Sequence, residues 1–303
     1  MIEYVYILIT VLGIGLTFSI SKLYQTKYSG VKALLTFSFW LAIGGFLFSF
    51  FVNGCKINFA SITLWCSLIV AVTIGFDNVA GVVAFKYCKM SLYTTFIMAG
   101  GMVIPSVFGV LFLQETLSVW RILGIVAIIA ALVIPVFEKT EEKTSKIGLL
   151  LCVAVFVCNG LNNVASKVHQ TSANALTTQD FLIYMNVWYF LLSLAIALGY
   201  WAVKARKKSA EGISVEEKRP IDWKERVKPI LLILLSSLIG STGTSFNLLA
   251  AKTVDASLMY PLITGGGMAI TALCGRIFFK EKITKLNAIS LCVAVLGTVL
   301  FAF

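Results

Sequence analysis

The strongest constraint on this sequence is that its two halves resemble each other. The segment that starts at Lys86 matches the segment that starts at Lys252, 166 positions later, without a gap. The segment that starts at Gly15 matches the one that starts at Gly160, 145 positions later. Such a repeat predicts two homologous units whose shared interface can form a site. The matched pairs include Lys22/Lys167, Gly100/Gly266, Gly101/Gly267 and Glu115/Glu281.

Long apolar runs place this repeat in a membrane. Hydrophobic residues make up 59% of the 303 positions and charged residues 13%, whereas soluble domains are about 45–50% apolar and about 25% charged. Runs of about 20 residues with few charges can cross a bilayer as α-helices, and they lack the alternation of a β-barrel strand. We predict an all-α membrane protein with ten transmembrane helices, at 3–22, 33–52, 62–85, 91–113, 119–137, 147–168, 181–203, 229–251, 257–279 and 285–303.

Five helices in each half predict that the two repeats are inverted. An odd number of crossings brings the second half into the membrane from the opposite side, so a pseudo-two-fold axis in the membrane plane relates the two. The predicted first repeat covers 1–137, the inter-repeat loop 138–146 and the second repeat 147–303, which contains a basic loop at 204–228.

Basic residues are distributed unevenly between the loops. Of the 25 Lys and Arg residues, 21 lie in the loops after helices 1, 3, 5, 7 and 9. Cytoplasmic loops collect Lys and Arg, so we predict that these five loops are cytoplasmic and that both termini lie outside. The same distribution accounts for the net charge of +11, so we expect no nucleic-acid partner. The predicted location is the plasma membrane, which is the inner membrane of a cell that has two.

Several kinds of chemistry lack the residues that they need. The seven cysteines form no CxxC pair and His169 is the single histidine, so we expect neither a metal site nor a structural disulfide. The sequence has no Walker A phosphate loop, so ATP does not drive the protein directly and no cofactor is expected. No nucleophile–base pair stands out, and we therefore do not expect an enzyme.

The repeated segment has a characteristic ending. It ends in Phe112-Leu113-Gln114-Glu115-Thr116-Leu117 and again in Phe279-Lys280-Glu281-Lys282-Ile283-Thr284. An apolar helix that ends in a glutamate-containing turn before the next helix resembles the EamA repeat, so the chain is similar to ten-helix members of the drug/metabolite transporter superfamily. The resemblance implies that helices 1–4 and 6–9 surround a central cavity, with helices 5 and 10 outside it. Such proteins commonly keep both termini in the cytoplasm, which is opposite to the orientation that the charges predict.

Asp77 is the acid that lies deepest in the apolar runs. An ionised carboxylate is costly in lipid, so it should face a cavity or a partner. We interpret Asp77 as a counter-ion for an amine substrate or as a proton-coupling carboxylate, and the alternative is a structural carboxylate. The second repeat has no acid in the matching region near Gly243, so a site that contains Asp77 is asymmetric.

Amide side chains follow one face of helix 6. Asn159, Asn162 and Asn163 recur at helical spacing, and unpaired amides are costly in hydrocarbon, so this face should line a cavity or contact another helix. For the two tyrosines of the predicted site, an interfacial aromatic belt is the alternative. The predicted substrate-binding residues are Asp77, Asn78, Tyr93, Asn159, Asn162, Asn163, Asn247 and Tyr260.

Lysines and glycines at matched positions suggest gating and packing. Inversion puts Lys22 and Lys167 at opposite membrane faces, where they and Asp77 are candidate gating or coupling residues. The alternative for the lysines is that they extend to the membrane interface. The mid-helix glycines predict a packing seam between helices 4 and 9, and they are Gly100, Gly101, Gly266 and Gly267.

These features predict a secondary transporter that moves a small polar metabolite, such as an amino acid or amine, by alternating access, with export the favoured direction. Three alternatives stay open. They are a carrier of anionic, sugar or phosphorylated metabolites that uses the lysines, a drug-efflux protein, and a membrane scaffold or sensor that transports nothing. The expected partners are a small-molecule substrate, the lipid bilayer and a coupled proton or counter-substrate, in a monomer or a homodimer.

Overall fold

Ten α-helices make up most of the protein. The computed structural model describes residues 2–28, 30–84, 87–88, 90–137, 145–211, 223–280 and 284–301. Within these ranges nine helices are long and apolar enough to cross a membrane, and the tenth is shorter. The prediction of an all-α membrane protein with ten helices is confirmed. The helices are α1 (Ile2–Lys27), α2 (Val31–Val52), α3 (Ser61–Ala84), α4 (Met90–Phe112), α5 (Val119–Val133), α6 (Lys146–Thr171), α7 (Thr178–Glu211), α8 (Trp223–Thr253), α9 (Ala256–Phe279) and α10 (Lys285–Leu300).

The last helix of each repeat begins with the same kind of cap. The hydroxyl of Ser118 accepts the backbone N–H of Arg121 at the start of α5. The hydroxyl of Thr284, 166 positions later, accepts the N–H of Asn287 at the start of α10. A hydroxyl at this position satisfies one of the N–H groups that the first turn leaves unpaired. The internal repeat therefore extends to the local hydrogen bonds that start a helix.

Two helices extend into the predicted basic loop. α7 continues to Glu211 and α8 begins at Trp223, so both enter the predicted loop at 204–228. Lys, Arg, Glu and Ala have high helix propensity, and the backbone therefore stays helical after the apolar run has ended. Residues 212–222 of that loop, and 138–144 of the predicted inter-repeat loop, lie outside the described residues.

Eight helices form a ring in which the two halves alternate. In ring order the contacting neighbours are α1, α9, α4, α6, α3, α7, α2 and α8, and α8 closes the ring on α1. α5 and α10 pack on each other and on α9, outside the ring, as the family resemblance implied. Each helix of the ring thus lies between two helices of the other half, and neither repeat can form the ring alone.

Glycines allow two of these ring contacts to be close. A Cβ on Gly100 in α4 would collide with the backbone of Phe156 in α6, and Gly101 faces α6 as well. In the other half, a Cβ on Gly266 in α9 would lie 3.1 Å from the side chain of Val11 in α1.

The sequence therefore predicted the wrong helix partners for these glycines. The sequence placed Gly100 and Gly101 against Gly266 and Gly267, between α4 and α9. The structure has α4 and α9 in contact, but the glycines of α4 face α6, and Gly266 and Gly267 face α1. The reason is that each of these helices has two ring neighbours, and helical periodicity defines a face without identifying the helix that covers it.

The close α4–α6 contact makes a stability prediction. Gly100→Ala should lower the free energy of unfolding by about 1–3 kcal/mol, as overpacking typically does, because the new methyl group meets the backbone of Phe156. Gly199→Ala is the matched control, since nothing lies within 4 Å of the added methyl and Ala is favoured over Gly in a helix. Thermal unfolding of the purified variants in detergent would measure both. Equal unfolding temperatures for the two variants would contradict the close contact between α4 and α6 at Gly100.

Candidate functional site

The helix bundle has two ends, named here after the turns that they contain. The α8–α9 end holds the turn between α8 and α9 together with the loops that follow α2, α4 and α6. The α3–α4 end holds the turn between α3 and α4 together with the loops that follow α1, α5, α7 and α9. By chain connectivity, the five loops that carry 21 of the 25 basic residues all belong to the α3–α4 end.

A cavity of about 170 Å³ lies between α2, α3 and α7. Its lining includes Val31, the first residue of α2, and Val83, near the end of α3. Both positions belong to the α3–α4 end of the bundle. The lining is mainly aliphatic, with Ser38, Asn78 and Tyr189 among its polar residues. Cavities of about 150 Å³ with apolar walls hold a benzene-sized guest, so the size and the lining suit a small, partly apolar molecule.

Asn78 is positioned by a tyrosine that sequence reasoning missed. Its side-chain amide donates a hydrogen bond to the hydroxyl of Tyr189 in α7, with a distance of 2.8 Å. Tyr189 forms one buried cluster with Ala42 of α2 and Ala71 of α3, so it belongs to the packing of three helices beside the cavity. A tyrosine in the middle of an apolar run, far from both predicted interfaces, was the signal that could have found it.

Asp77 is a partly buried acid in the second half of α3. Its Oδ1 atom is buried and accepts no hydrogen bond within the described part of the chain. The hydroxyl of Tyr93 donates to the backbone carbonyl of Asp77, at 2.8 Å, rather than to the carboxylate. The thiol of Cys158 in α6 lies close enough to interact electrostatically with the carboxylate. Asp77 therefore lies within electrostatic range of α6, with one buried carboxylate oxygen that accepts no hydrogen bond from any described residue.

The internal repeat shows how unusual this position is. Offsets of 166 and 145 make Gly243 the equivalent of Asp77 and Gly13 the equivalent of Cys158. Gly13 and Gly243 meet at the α1–α8 seam, where a Cβ on Gly13 would lie 3.1 Å from the Cα of Gly243. One copy of the seam is therefore closed by two glycines, and the other contains an acid and a thiol.

The amide stripe of α6 divides into two groups. Asn159 donates to the carbonyl of Ile97 and Asn163 to the carbonyl of Gly101, each at 2.7 Å. These two amides are held by the α4 backbone. Asn162 is partly exposed on the same helix and forms no hydrogen bond with any described residue. Of the three predicted binding residues in α6, Asn162 has its amide available for a ligand.

The remaining predicted binding residues lie in different environments. Tyr260 is buried in α9 and donates to the carbonyl of Asn163 at 2.8 Å, so its hydroxyl joins α9 to α6. Tyr93 is also buried, with its hydroxyl on Asp77 as described above. Asn247 in α8 is partly exposed.

Lys167 lies at the α8–α9 turn and is buried, with 4% of its surface exposed. Its ammonium group donates to the carbonyl of Ala251 at 2.9 Å and to that of Val254 at 2.5 Å. The equivalent residue, Lys22, lies at the other end of α9, where its Nζ is 5.1 Å from the centre of the Phe279 ring. Equivalent lysines at opposite ends of one helix are what an inverted repeat requires.

Two further polar networks, which the sequence did not predict, join the loops of the α8–α9 end. Asp180 at the start of α7 is fully buried, and its carboxylate accepts hydrogen bonds from the side chains of Asn53, Asn58 and Thr177. His169 at the end of α6 is also fully buried, and its Nε2 lies 2.9 Å from the hydroxyl of Thr63. These contacts connect the α2–α3 loop with α3, α6 and α7, so this end of the bundle is tightly held.

A ring of interleaved apolar helices defines an integral membrane protein, and sequence comparison identifies the family. The family model for the EamA-like transporter family matches residues 146–303. The chain therefore belongs to the EamA-like transporter family, which is a family of membrane transporters of the drug/metabolite kind.

Comparison with solved structures agrees on the fold. Twenty-nine chains of known structure match. One of them, described only as the crystal structure of a protein, superposes with a TM-score of 0.71 at 15% sequence identity, over 98% of this chain and 98% of the other. At this identity the likeness shows the fold alone. A search of the curated proteins gave no match.

The division of the amide stripe makes a testable prediction. Asn163→Ala should lower the free energy of unfolding by about 1–3 kcal/mol, the usual cost of a buried polar group that loses its partner, because the Gly101 carbonyl lies four residues before Pro105 and has no helical N–H to accept. Asn159→Ala should cost about 0.5–1.5 kcal/mol, the net contribution of one hydrogen bond, because the Ile97 carbonyl keeps its helical partner. Asn162→Ala should leave thermal stability unchanged. Thermal unfolding of the three variants in detergent would test this, and a loss for Asn162→Ala as large as for its neighbours would contradict it.

Proposed function

We propose that the protein is a secondary transporter that carries a small amine or amino acid with its cationic group bound to Asp77. The observation that carries this proposal is the buried Oδ1 of Asp77, which lacks a partner among the described residues. Leaving a buried acceptor unpaired costs about 1–3 kcal/mol, and more for a charged group. A bound ammonium group would satisfy the carboxylate and offset that cost.

The neighbourhood of Asp77 supports a guest that has both a charge and an apolar part. Asn78 lines the aliphatic cavity, and consecutive residues leave an α-helix about 100° apart. The two side chains therefore leave α3 in adjacent directions, one toward α6 and one toward the cavity. An amine whose ammonium group meets Asp77 can place its remaining atoms near the cavity wall, and Asn162 can supply a further hydrogen bond.

Alternating access is supported by the difference between the two ends. The cavity lies toward the α3–α4 end, whereas buried hydrogen bonds join the loops of the α8–α9 end. A transporter in one of its end states has this property. We propose export as the direction, because the cavity lies at the end that carries the basic loops, the predicted cytoplasmic end, where an exporter would take up its cargo.

The anionic-substrate alternative has less support. It needs a lysine that is available to a carboxylate or phosphate group. The ammonium of Lys167 already donates to two backbone carbonyls, and that of Lys22 lies over an aromatic ring. Neither lysine lines the cavity.

Asp77→Asn tests the proposed function directly. It should abolish binding and transport of cationic substrates and leave thermal stability equal or higher, because it removes the charge and keeps the shape. Thermal shifts against pools of monoamines, amino acids, sugars and phosphorylated metabolites would find a ligand, since a ligand at a hundred times its Kd stabilises by roughly 2.7 kcal/mol. Transport in proteoliposomes would follow.

Asp180→Asn is the matched control for this experiment. Its carboxylate is fully used by hydrogen bonds at the α8–α9 end, so the change should lower stability while the preference for cations remains. An amine that binds Asp77→Asn as tightly as the unchanged protein would remove the counter-ion proposal. A ligand found only among the anions would favour the alternative.

The proposed orientation can be tested with a native residue. Cys55 is exposed, and it follows α2 at the α8–α9 end. If the basic loops are cytoplasmic, a membrane-impermeant maleimide should label Cys55 in intact cells, and Cys55→Ser should abolish that labelling. Labelling that requires permeabilised cells would reverse the orientation and place both termini inside.

A further inference from the structure

A buried lysine and a partly exposed glutamate hold the α8–α9 turn from opposite sides. Lys167 of α6 binds the carbonyls of Ala251 and Val254, at the end of α8. Glu115, in the turn after α4, accepts the N–H groups of Ala256 and Ser257 at the start of α9, at 2.7 and 2.9 Å. Their charges lie close enough to each other to interact.

The placement of the two charges follows from the unpaired backbone groups at the break between α8 and α9. The last carbonyls of one helix and the first N–H groups of the next have no partners within their own helices. A positive charge is favourable at a helix C-terminus and a negative charge at an N-terminus. Lys167 and Glu115 each satisfy the terminus that suits their sign. A second pair, Arg121 with Asp255 at 3.0 Å, lies at the same turn and is more exposed.

The origin of these capping groups suggests a role beyond local stability. A helix is usually capped by a residue next to its own terminus, and such a cap moves together with the helix. Here the capping groups come from α6 and from the α4–α5 turn. A movement of the α8–α9 turn relative to those two elements must break all four hydrogen bonds.

The internal repeat gives a second, independent observation. Lys22 is the equivalent of Lys167, yet its ammonium lies over the ring of Phe279 at the α3–α4 end. At the equivalent positions of the repeat, Lys167 donates to helix carbonyls at the tightly held end, whereas the ammonium of Lys22 has an aromatic ring among its contacts at the end nearer the cavity. The tightly held end therefore contains the lysine that binds a helix terminus, and the end nearer the cavity contains the lysine that lies over a ring.

We propose that Lys167 and Glu115 form a latch that keeps the α8–α9 end closed while the cavity is accessible from the α3–α4 end. They are positioning residues, which hold the α8–α9 turn and do not contact the cargo. This inference rests on the proposed function, because a latch of this kind has a role only in a protein that alternates between two openings.

The test measures access to the inner face of α6 from the α8–α9 side. Ser166 is partly exposed and follows Asn162 by four residues, on the same helix face. Ser166→Cys, in a Cys55→Ser background, reports access when an impermeant maleimide is added from the α8–α9 side and the peptide is read by mass spectrometry. The Cys55 experiment above identifies which side that is.

Lys167→Gln and Glu115→Gln should each increase the labelling rate of this reporter about tenfold, which corresponds to a change of about 1.4 kcal/mol in the equilibrium between the two states. Lys167→Arg, which keeps the charge and the donors, should restore slow labelling. Lys252→Gln is the matched control, because Lys252 is an exposed lysine at the same end of α8. Lys22→Gln, at the equivalent position of the repeat, should not increase labelling from this side.

The outcomes separate the latch from a static cap and from the proposed function. Variants that melt at a lower temperature but label at the original rate would show that the pair only stabilises the turn, and the latch would be overturned. If Lys167→Gln does not fold, Glu115→Gln decides, since it keeps the shape of the side chain. Faster labelling supports the latch even if no amine is transported, and loss of amine transport in Asp77→Asn supports the counter-ion even if labelling never changes.

Discussion

Close packing between the two halves is the constraint on which the rest of this structure depends. Helix surfaces in lipid gain little from apolar contact as such, so association relies on close van der Waals approach and on hydrogen bonds between helices. The α1–α8 seam uses both, because Gly13 meets Gly243 there and the hydroxyl of Thr10 donates to the Gly243 carbonyl at 3.1 Å. The α2–α8 seam adds a hydrogen bond from Ser237 to the carbonyl of Leu41. Each of these seams joins a helix of the first repeat to a helix of the second. The ring, and any site inside it, therefore forms only when both repeats are packed together.

The candidate site lies where the two halves stop being alike. The repeat would allow a glycine-closed seam at both α1–α8 and α3–α6, and the chain keeps it only at the first. At the second, the equivalents of Gly243 and Gly13 are Asp77 and Cys158. This change gives up close packing and leaves a carboxylate oxygen unpaired in a membrane helix, which lowers stability. Sites that bind and release a charged molecule have this property, because a carboxylate already satisfied by the protein would gain little from a ligand.

The amino-acid sequence predicted the architecture well because hydrophobic runs and an internal repeat can be recognised directly along the chain, without knowing which helices contact each other. It also drew attention to Asp77, since one acid in a long apolar run is conspicuous, and the role of this residue in a site stays a prediction. It could not assign the neighbours of each helix. Asn159 and Asn163 were grouped with Asn162 because periodicity reports a common face, whereas two of these amides bind α4 carbonyls. Lys167 illustrates the same limit, because nothing near it in sequence indicates that the carbonyls of the α8–α9 turn are within reach of its ammonium group.

The unequal ends of the bundle also constrain how the protein can change shape. Opening the α8–α9 end requires the separation of Lys167 and Glu115 from the turn between α8 and α9 and the loosening of the contacts of Asp180 and His169. A bound molecule can drive that change only by the difference between its affinities for the two states. In the proposed transporter, a cation at Asp77 lies in the second half of α3, away from those contacts. Two helices link the acid to them. α6 carries Cys158, which interacts electrostatically with Asp77, and Lys167 nine residues further on. α4 carries Tyr93, which donates to the Asp77 carbonyl, and leads into the turn that holds Glu115. In that proposal, a shift of α4 and α6 relative to α3 would couple the binding of cargo to the opening of the closed end.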